Sequence, residues 1–179
     1  MKIQKISILS PHYKKVKKLY EDSFPAVERI SWTWMLIMAF FGRSDFLAYF
    51  DKGTFAGFSY SLKSKHVYYL LFLAVPSNAH SRGYGGKILK AVAKQAKDRP
   101  IFLVIEPLDK NAENYKLRLK RLAFYEKNGY TLTDYLYFEN EEVYQVLTNK
   151  NEDRIQEFEK LGKYIEWSGM KIRLLKAKN

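Results

Sequence analysis

The stretch that most constrains this chain runs Leu73-Ala74-Val75-Pro76-Ser77-Asn78-Ala79-His80-Ser81-Arg82-Gly83-Tyr84-Gly85-Gly86-Lys87, from an apolar segment through a polar turn into a helical pattern. A helix that begins here presents backbone N–H groups with no intrahelical partner, and its dipole adds partial positive charge, so the junction predicts an anion site. Gly83, Gly85 and Gly86 have no Cβ to hold a pyrophosphate off the main chain, and they accept the φ/ψ angles of a phosphate-cradling turn. The stretch therefore reads as the phosphate end of a nucleotide-like cofactor site.

Spacing then selects among glycine-rich loops. A dinucleotide fingerprint starting at Gly83 needs glycine at 88, where the chain has Ile88, and a P-loop ending in Gly86-Lys87 needs glycine at 81 and Ser or Thr at 88. Arg82-Gly83-Tyr84-Gly85 matches the first half of an RNA-binding RNP1 strand, whose second half alternates aromatics. Here Ile88, Leu89, Val92, Ala93 and Ala96 recur at helical spacing, with Lys87, Lys90, Lys94 and Lys97 on the opposite stripe. A helix in that place disfavours RNA recognition.

Along the chain, Lys2 to Leu9 alternates and predicts a strand. Ser10-Pro11 predicts a helix cap followed by proline in the first turn, with Tyr13, Val16, Tyr20 and Phe24 on the buried face up to Pro25. A second helix is expected after Ser31, with Trp32, Met35, Leu36, Ala39 and Phe40 inward and Gly42 as its stop. Phe46–Phe50 and Thr54–Leu62 predict a hairpin around Asp51-Lys52-Gly53. His66–Val75 reads as a central strand, 84–98 as a helix, and Ile101–Glu106 as a second buried strand, so a βαβ unit with a parallel pair is expected, its crevice at the strands' carboxyl ends. Tyr115–Lys127 is a helix stopped by Asn128-Gly129. Tyr130–Phe138 and Glu142–Thr148 form a hairpin around Glu139-Asn140-Glu141, and a polar helix near Asp153–Leu161 and a short strand at Met170–Leu175 complete the reading. The tryptophans Trp32, Trp34 and Trp167 are expected in the core or an acceptor-pocket wall, with the core favoured.

Composition narrows the class. With 179 residues the chain is expected to be one domain, a core over about 2–148 and an extension over 149–179, large enough to fold without staples. It has no cysteine, which excludes disulfide frameworks and thiolate metal sites. No apolar run approaches the length of a membrane span and no signal peptide is legible, so a cytoplasmic protein without membrane association is expected. The net charge of +12, from 31 Lys plus Arg against 19 Asp plus Glu, favours anionic partners, although helix-face lysines such as Lys14, Lys15, Lys17 and Lys18 account for much of it as a solvated surface. His12, His66 and His80 show no ligand spacing, and no metal is expected.

Two motifs carry a resemblance. Ala74-Val75 ahead of Gly83-Tyr84-Gly85 resembles motif A of the GNAT superfamily of N-acetyltransferases, with His80 where that family has Gln or Arg. Phe124-Tyr125-Glu126-Lys127-Asn128-Gly129-Tyr130 looks like the family's Phe-Tyr-Glu-Lys-x-Gly segment in the following helix. The resemblance covers about residues 2–148. It implies a mixed α/β (α+β) fold: a mostly antiparallel central sheet with a βαβ parallel pair and helices on both faces. It also implies an N-acetyltransferase that moves an acetyl group from acetyl-CoA (coenzyme A) to a primary amine, by direct transfer in a ternary complex.

On that resemblance the cofactor is held by Leu73, Ala74 and Val75, which polarise the thioester carbonyl, and by His80, Ser81, Arg82, Gly83, Tyr84, Gly85 and Gly86 at the diphosphate. Tyr125 occupies the position of the acid that protonates the coenzyme thiolate; a packing role is the alternative. The family often has asparagine where Arg118 stands, seven residues before Tyr125, so Arg118 is a cofactor candidate, with Asn114 as a substitute from the loop or as a helix cap. Arg118, Arg121 and Tyr125 share one helix side. A carboxylate must take the amine's proton: Glu106, which ends a strand at the crevice before Pro107, or Glu28, in the connection that forms part of the family's acceptor site. Either is alternatively a salt-bridging surface acid. The acceptor is expected to be a small molecule or a peptide, and the segment beyond Asn149 is available to a homodimer contact. Two readings compete: a non-catalytic acyl-CoA-binding sensor or scaffold, and, less favoured, a basic RNA-binding module.

Overall fold

At the turn Asp51-Lys52-Gly53, Lys52 and Gly53 take φ of 48° and 83°, and Asp51 faces Thr54 across the turn. Two successive positive-φ residues match the twist of adjoining strands, so a two-residue loop closes the hairpin. It joins β2 (Ser44–Asp51) to β3 (Thr54–Lys63). The computed structural model describes residues 1–80 and 82–177. These form two units, Met1–Ser64 with Leu70–Lys97, and Lys65–Tyr69 with the chain from Asp98 onward.

The first unit holds β1 (Lys2–Lys5), α1 (Tyr13–Ser23), α2 (Trp32–Phe40), the β2–β3 hairpin, the Leu70–Ala74 stretch of β4 (Tyr68–Ala74) and α3 (Tyr84–Ala96). Its strands lie in the order β1-β2-β3-β4, with β1–β2 and β2–β3 antiparallel. Helices and sheet meet through aromatic rings. Tyr20 of α1 lies 5.0 Å from Phe72, Phe24 lies 4.8 Å from Phe72, and Trp32 lies 5.1 Å from Phe46. The buried Tyr20 hydroxyl donates to Ile30 O at 2.9 Å, which satisfies a polar atom this packing would otherwise strand.

Three expectations for this unit need correcting. Strand β1 stops at Lys5 because Ser10 folds back. Ser7 N donates to Ser10 Oγ and that hydroxyl donates to Lys5 O. The same bonds remove Ser10 as a helix cap, and α1 starts two residues later, after His12. On α2, Met35 is buried and Trp32, Leu36 and Ala39 are half-buried, but Phe40 is 85% exposed. An almost wholly apolar helix carries no period that marks its inner face. Ser31 does cap α2, accepting from Trp34 N, and Gly42 ends it at φ 70°.

The second unit has strand order β4-β5-β7-β6-β8, β4 entering through Tyr68 and Tyr69. It comprises β5 (Ile101–Ile105), α4 (Tyr115–Lys127), β6 (Thr131–Glu139), β7 (Glu142–Thr148), α5 (Ile155–Gly162), a 3-10 turn at Lys163–Ser168 and β8 (Ile172–Lys176). The parallel pair is present, Tyr68 opposite Ile101 and Tyr69 opposite Phe102, and β7, β6 and β8 extend it antiparallel. The mixed α/β fold with a parallel pair is thus as the sequence reads. The core stacks Phe102 on Phe158 at 4.9 Å and sets Tyr69 against Phe158 at 4.8 Å. Gly162 is needed for this packing, since a Cβ there would lie 2.7 Å from the Tyr137 hydroxyl. Trp167 is 84% exposed and belongs to no core. Among the described residues no helix is long and apolar enough to cross a membrane.

Candidate cofactor loop and transfer residues

The loop of the first unit begins where β4 ends. Ala74 is buried and Leu73 and Val75 are half-buried. Pro76 leads into a 3-10 turn, Ser77–Ala79. His80 then turns its ring back, and Nε2 donates to Val75 O at 2.9 Å. A carbonyl can only accept, so this bond puts the proton on Nε2 and makes His80 a staple across the loop. Ser81 lies outside the described residues. Arg82 is exposed.

Gly83 caps α3 at φ 73°, a left-handed conformation that costs a side-chain-bearing residue energy and glycine nothing. Lys87 N donates to Gly83 O at 3.2 Å, so the N–H groups of Tyr84, Gly85 and Gly86 precede the helix's own bonding. Two of those three residues lack a Cβ. The junction is thus a concentration of oriented backbone donors on small residues, at the positive end of a helix dipole. Lys87 is held to the side, 3.3 Å from the Asp51 carboxylate and 5.2 Å from the Tyr84 ring centre.

Beneath this loop lies a residue the sequence reading passed over. Gly57 of β3 has φ 144°, and a Cβ there would sit 2.2 Å from Ala74 O and 3.0 Å from Ile88 Cδ1. Strand β3 can therefore approach the end of β4 and the first turn of α3 only because position 57 is glycine. The β2–β3 register shifts next to it, between Tyr49 and Phe50. A glycine inside a strand pattern signals such a close approach, and that signal was legible at 57.

In the second unit the structure gathers Glu106, Asn114, Arg118 and Arg121 into one cluster. Asn114 Nδ2 donates to Glu106 Oε1 at 2.9 Å, and Arg121 Nη1 donates to Glu106 Oε2. Arg118 uses all three nitrogens: Nε donates to Asn114 Oδ1 at 2.7 Å, Nη1 to Pro107 O at 2.8 Å, and Nη2 lies 3.3 Å from Glu106 Oε1. Asn114 stands at the N-cap position of α4, yet its side chain makes no cap bond and bridges the carboxylate and Arg118 instead. Both carboxylate oxygens of Glu106 are occupied. The i, i+4 spacing of Asn114 and Arg118 was a visible hint of one link in this cluster.

Tyr125 is one turn beyond Arg121. Its ring packs 5.1 Å from Phe124 and 5.8 Å from Tyr130. Burial raises its pKa, and the nearby Arg121 charge lowers it by less, so the phenol holds its proton at neutral pH. Glu28 is half-buried in the 3-10 turn Ala26–Glu28 of the first unit. Among the described residues no group of His, Cys, Asp and Glu side chains is placed to hold a metal ion.

Fold and junction define the class: a mixed α/β protein whose helix after the first parallel strand begins in an anion-receptive glycine turn. Residues 13–130 match the model of the acetyltransferase (GNAT) family, and the chain belongs to that family. No curated protein matches it. The fold recurs in a solved structure described as a GNAT-family acetyltransferase of Bacteroides thetaiotaomicron, with TM-score 0.76 and 24% identity over 96% of this chain and 100% of that one. It recurs in aminoglycoside 6'-N-acetyltransferase from Enterococcus faecium, with TM-score 0.59 and 18% identity over 83% and 96%. It recurs again in a GNAT family acetyltransferase from Elizabethkingia anophelis with acetyl-CoA bound, with TM-score 0.57 and 16% identity over 84% and 97%. Each of these likenesses, at such identities, carries the fold.

Proposed function

We propose that this chain is a cytoplasmic N-acetyltransferase, one domain over residues 1–179, that moves an acetyl group from acetyl-CoA to a primary amine of a small molecule or peptide by direct transfer in a ternary complex. The observation that carries this reading is the head of α3. Gly83 sits at φ 73°, and three backbone donors, two of them on glycines, follow before the helix bonds to itself. Arg82 and Gly83 to Gly86 would hold the diphosphate there, with His80 bracing the loop and Ser81 completing it. The main chain at Leu73-Ala74-Val75 would polarise the thioester carbonyl. Acetyl-CoA, when bound, supplies the activated acyl group. An aminoglycoside acetyltransferase and a ribosomal-protein-alanine acetyltransferase among the similar folds support an amine acceptor, on a small molecule or a peptide.

Tyr125 donates its proton to the leaving thiolate, a role its retained proton suits. The amine's proton passes to a carboxylate. Glu106 already accepts from Asn114, Arg118 and Arg121, which suits it to positioning those side chains; it and Glu28 are the two candidate bases. Asn114 and Arg118 serve the same cluster more than the cofactor.

The test is a turnover screen of amines with acetyl-CoA, paired with calorimetric binding of acetyl-CoA to the Gly85→Trp variant. Turnover of at least one amine, and an affinity loss of roughly 10-fold or more from obstructed backbone donors, are expected. Undiminished affinity in that variant would sink the reading.

A further inference from the structure

The cluster along α4 leaves one guanidinium partly uncommitted. Arg118 uses all three nitrogens, on Asn114 Oδ1, Pro107 O and Glu106 Oε1. Among the described residues Arg121 bonds through Nη1 alone, to Glu106 Oε2, and a guanidinium has further N–H donors to give. One carboxylate thus answers two guanidiniums, so the cluster keeps a surplus positive charge.

Tyr125 stands four residues on from Arg121, one helical turn away. Residues so spaced share a helix face, with Cβ atoms about 5–6 Å apart, and helical side chains lean toward the N-terminus, so the phenol lies over the turn that carries Arg121. Two rings pack against it, Phe124 at 5.1 Å and Tyr130 at 5.8 Å. Tyr130 is itself fixed, 3% exposed, with its N–H donating to Tyr125 O at 3.1 Å. Burial pushes the Tyr130 phenol well up, so of the titratable groups shown against Tyr125, Tyr130 is neutral and Arg121 carries the charge. Arg121 is in turn anchored from another element, by Glu106 just past the end of β5. That bond restrains a long side chain that solvent would otherwise leave free to swing away.

We propose that Arg121 is a positioning residue for acetyl transfer: anchored by Glu106, its guanidinium stabilises the phenolate that Tyr125 becomes on protonating the coenzyme thiolate. In that step the phenol O–H bond breaks and its electron pair stays on the Tyr125 oxygen, beside the cation. The thiolate takes the proton and leaves as the free thiol, and the phenolate regains a proton from solvent. The inference rests on the acetyltransferase reading of Tyr125, and in it Arg121 acts through Tyr125 without touching acetyl-CoA.

The experiment places a ring-difluorinated tyrosine, whose phenol ionises near neutral pH, at position 125 of the full chain and follows phenolate absorbance against pH without acetyl-CoA. Beside it, kcat and KM are measured on the chain with its natural tyrosine, using an amine found in the turnover screen. Arg121→Gln removes the charge and should raise the phenol's midpoint by roughly half to one pH unit, the size expected of a partly screened cation one turn away. It should also lower kcat roughly 3- to 10-fold, with KM for acetyl-CoA unchanged. Arg121→Lys keeps the charge, so it should hold the midpoint within roughly 0.3 pH unit of the parent and restore most of kcat. Both variants leave Glu106 its bonds to Asn114 and Arg118, and Tm verifies that they fold. An unmoved midpoint in Arg121→Gln overturns the proposal, as does weakened acetyl-CoA binding with kcat intact, which would make Arg121 a cofactor ligand. If the unaltered chain turns over no amine while the midpoint shifts as expected, the acetyltransferase reading falls and the role of Arg121 with it, so the midpoint tells the two failures apart.

Discussion

Two strand-to-helix junctions of this protein, β4 to α3 and β5 to α4, meet the same requirement in opposite ways. Each helix starts on a residue whose side chain makes no cap bond, Gly83 in one and Asn114 in the other. At α3 the donors are main chain, two of the three residues that carry them are glycine, and Lys87 is drawn aside by Asp51. At α4 the junction is crowded with side chains, and two guanidinium groups, an amide and a carboxylate bind one another. On the proposed function the first junction offers its main-chain donors to an exchangeable anion, while the second pairs its own charges with one another. Positive residues beside a suspected site thus say little about anion binding until their partners are known: Arg118 reads as a cofactor candidate in the sequence, and it and Arg121 bind a carboxylate in the fold.

The comparison breaks first at Gly57. If the α3 junction depends on backbones meeting closely, Gly57→Val should cost about 4 kcal/mol from strain and overpacking combined, read by urea denaturation. A variant of wild-type stability would show that the strand beneath the loop can give way. Next comes the contrast within the α4 region. Tyr125→Phe should lower kcat roughly 10²-fold or more while acetyl-CoA affinity holds. Glu106→Gln should instead cost about 1–2 kcal/mol of stability, discounted for its partly exposed partners, with kcat changed less than about 10-fold. A large kcat loss in Glu106→Gln without a stability change would make that carboxylate the base and end the contrast. The smallest effect is expected from Lys87→Ala. Its pair with Asp51 is largely solvent-exposed, so its removal should cost under about 1 kcal/mol, which thermal unfolding at low and high salt would resolve.

Much of the fold was legible because local signals and tertiary demands agree. Helix α4 runs from Tyr115 to Lys127 as the sequence predicts, and Gly129 ends it with a φ of 84°. Strand β7 covers Glu142–Thr148, and Asn140 takes the positive φ of the turn before it. Where the reading failed, a competing partner decided. Ser10 had the chemistry of a cap, but its hydroxyl was already shared between Ser7 and Lys5. Phe40 had the apolar character of the core, but α2 has more apolar residues than inward positions. At the candidate site, the glycine turn could be read because glycine's backbone freedom is written in residue identity. The engagement of Glu106 could not, since its partners stand 8 to 15 residues away and only folding brings them within reach.

By itself the amino-acid order determined the strand and helix content, the parallel pair, the glycine turn at the head of α3 and the family to which the chain belongs. All of these rest on periodicity, on φ preference and on motifs contained in short stretches. The tertiary structure decided which polar groups are already occupied and that β3 approaches Ala74 closely enough to forbid a Cβ at Gly57. Those are distances between residues remote in the chain, and no local preference encodes them.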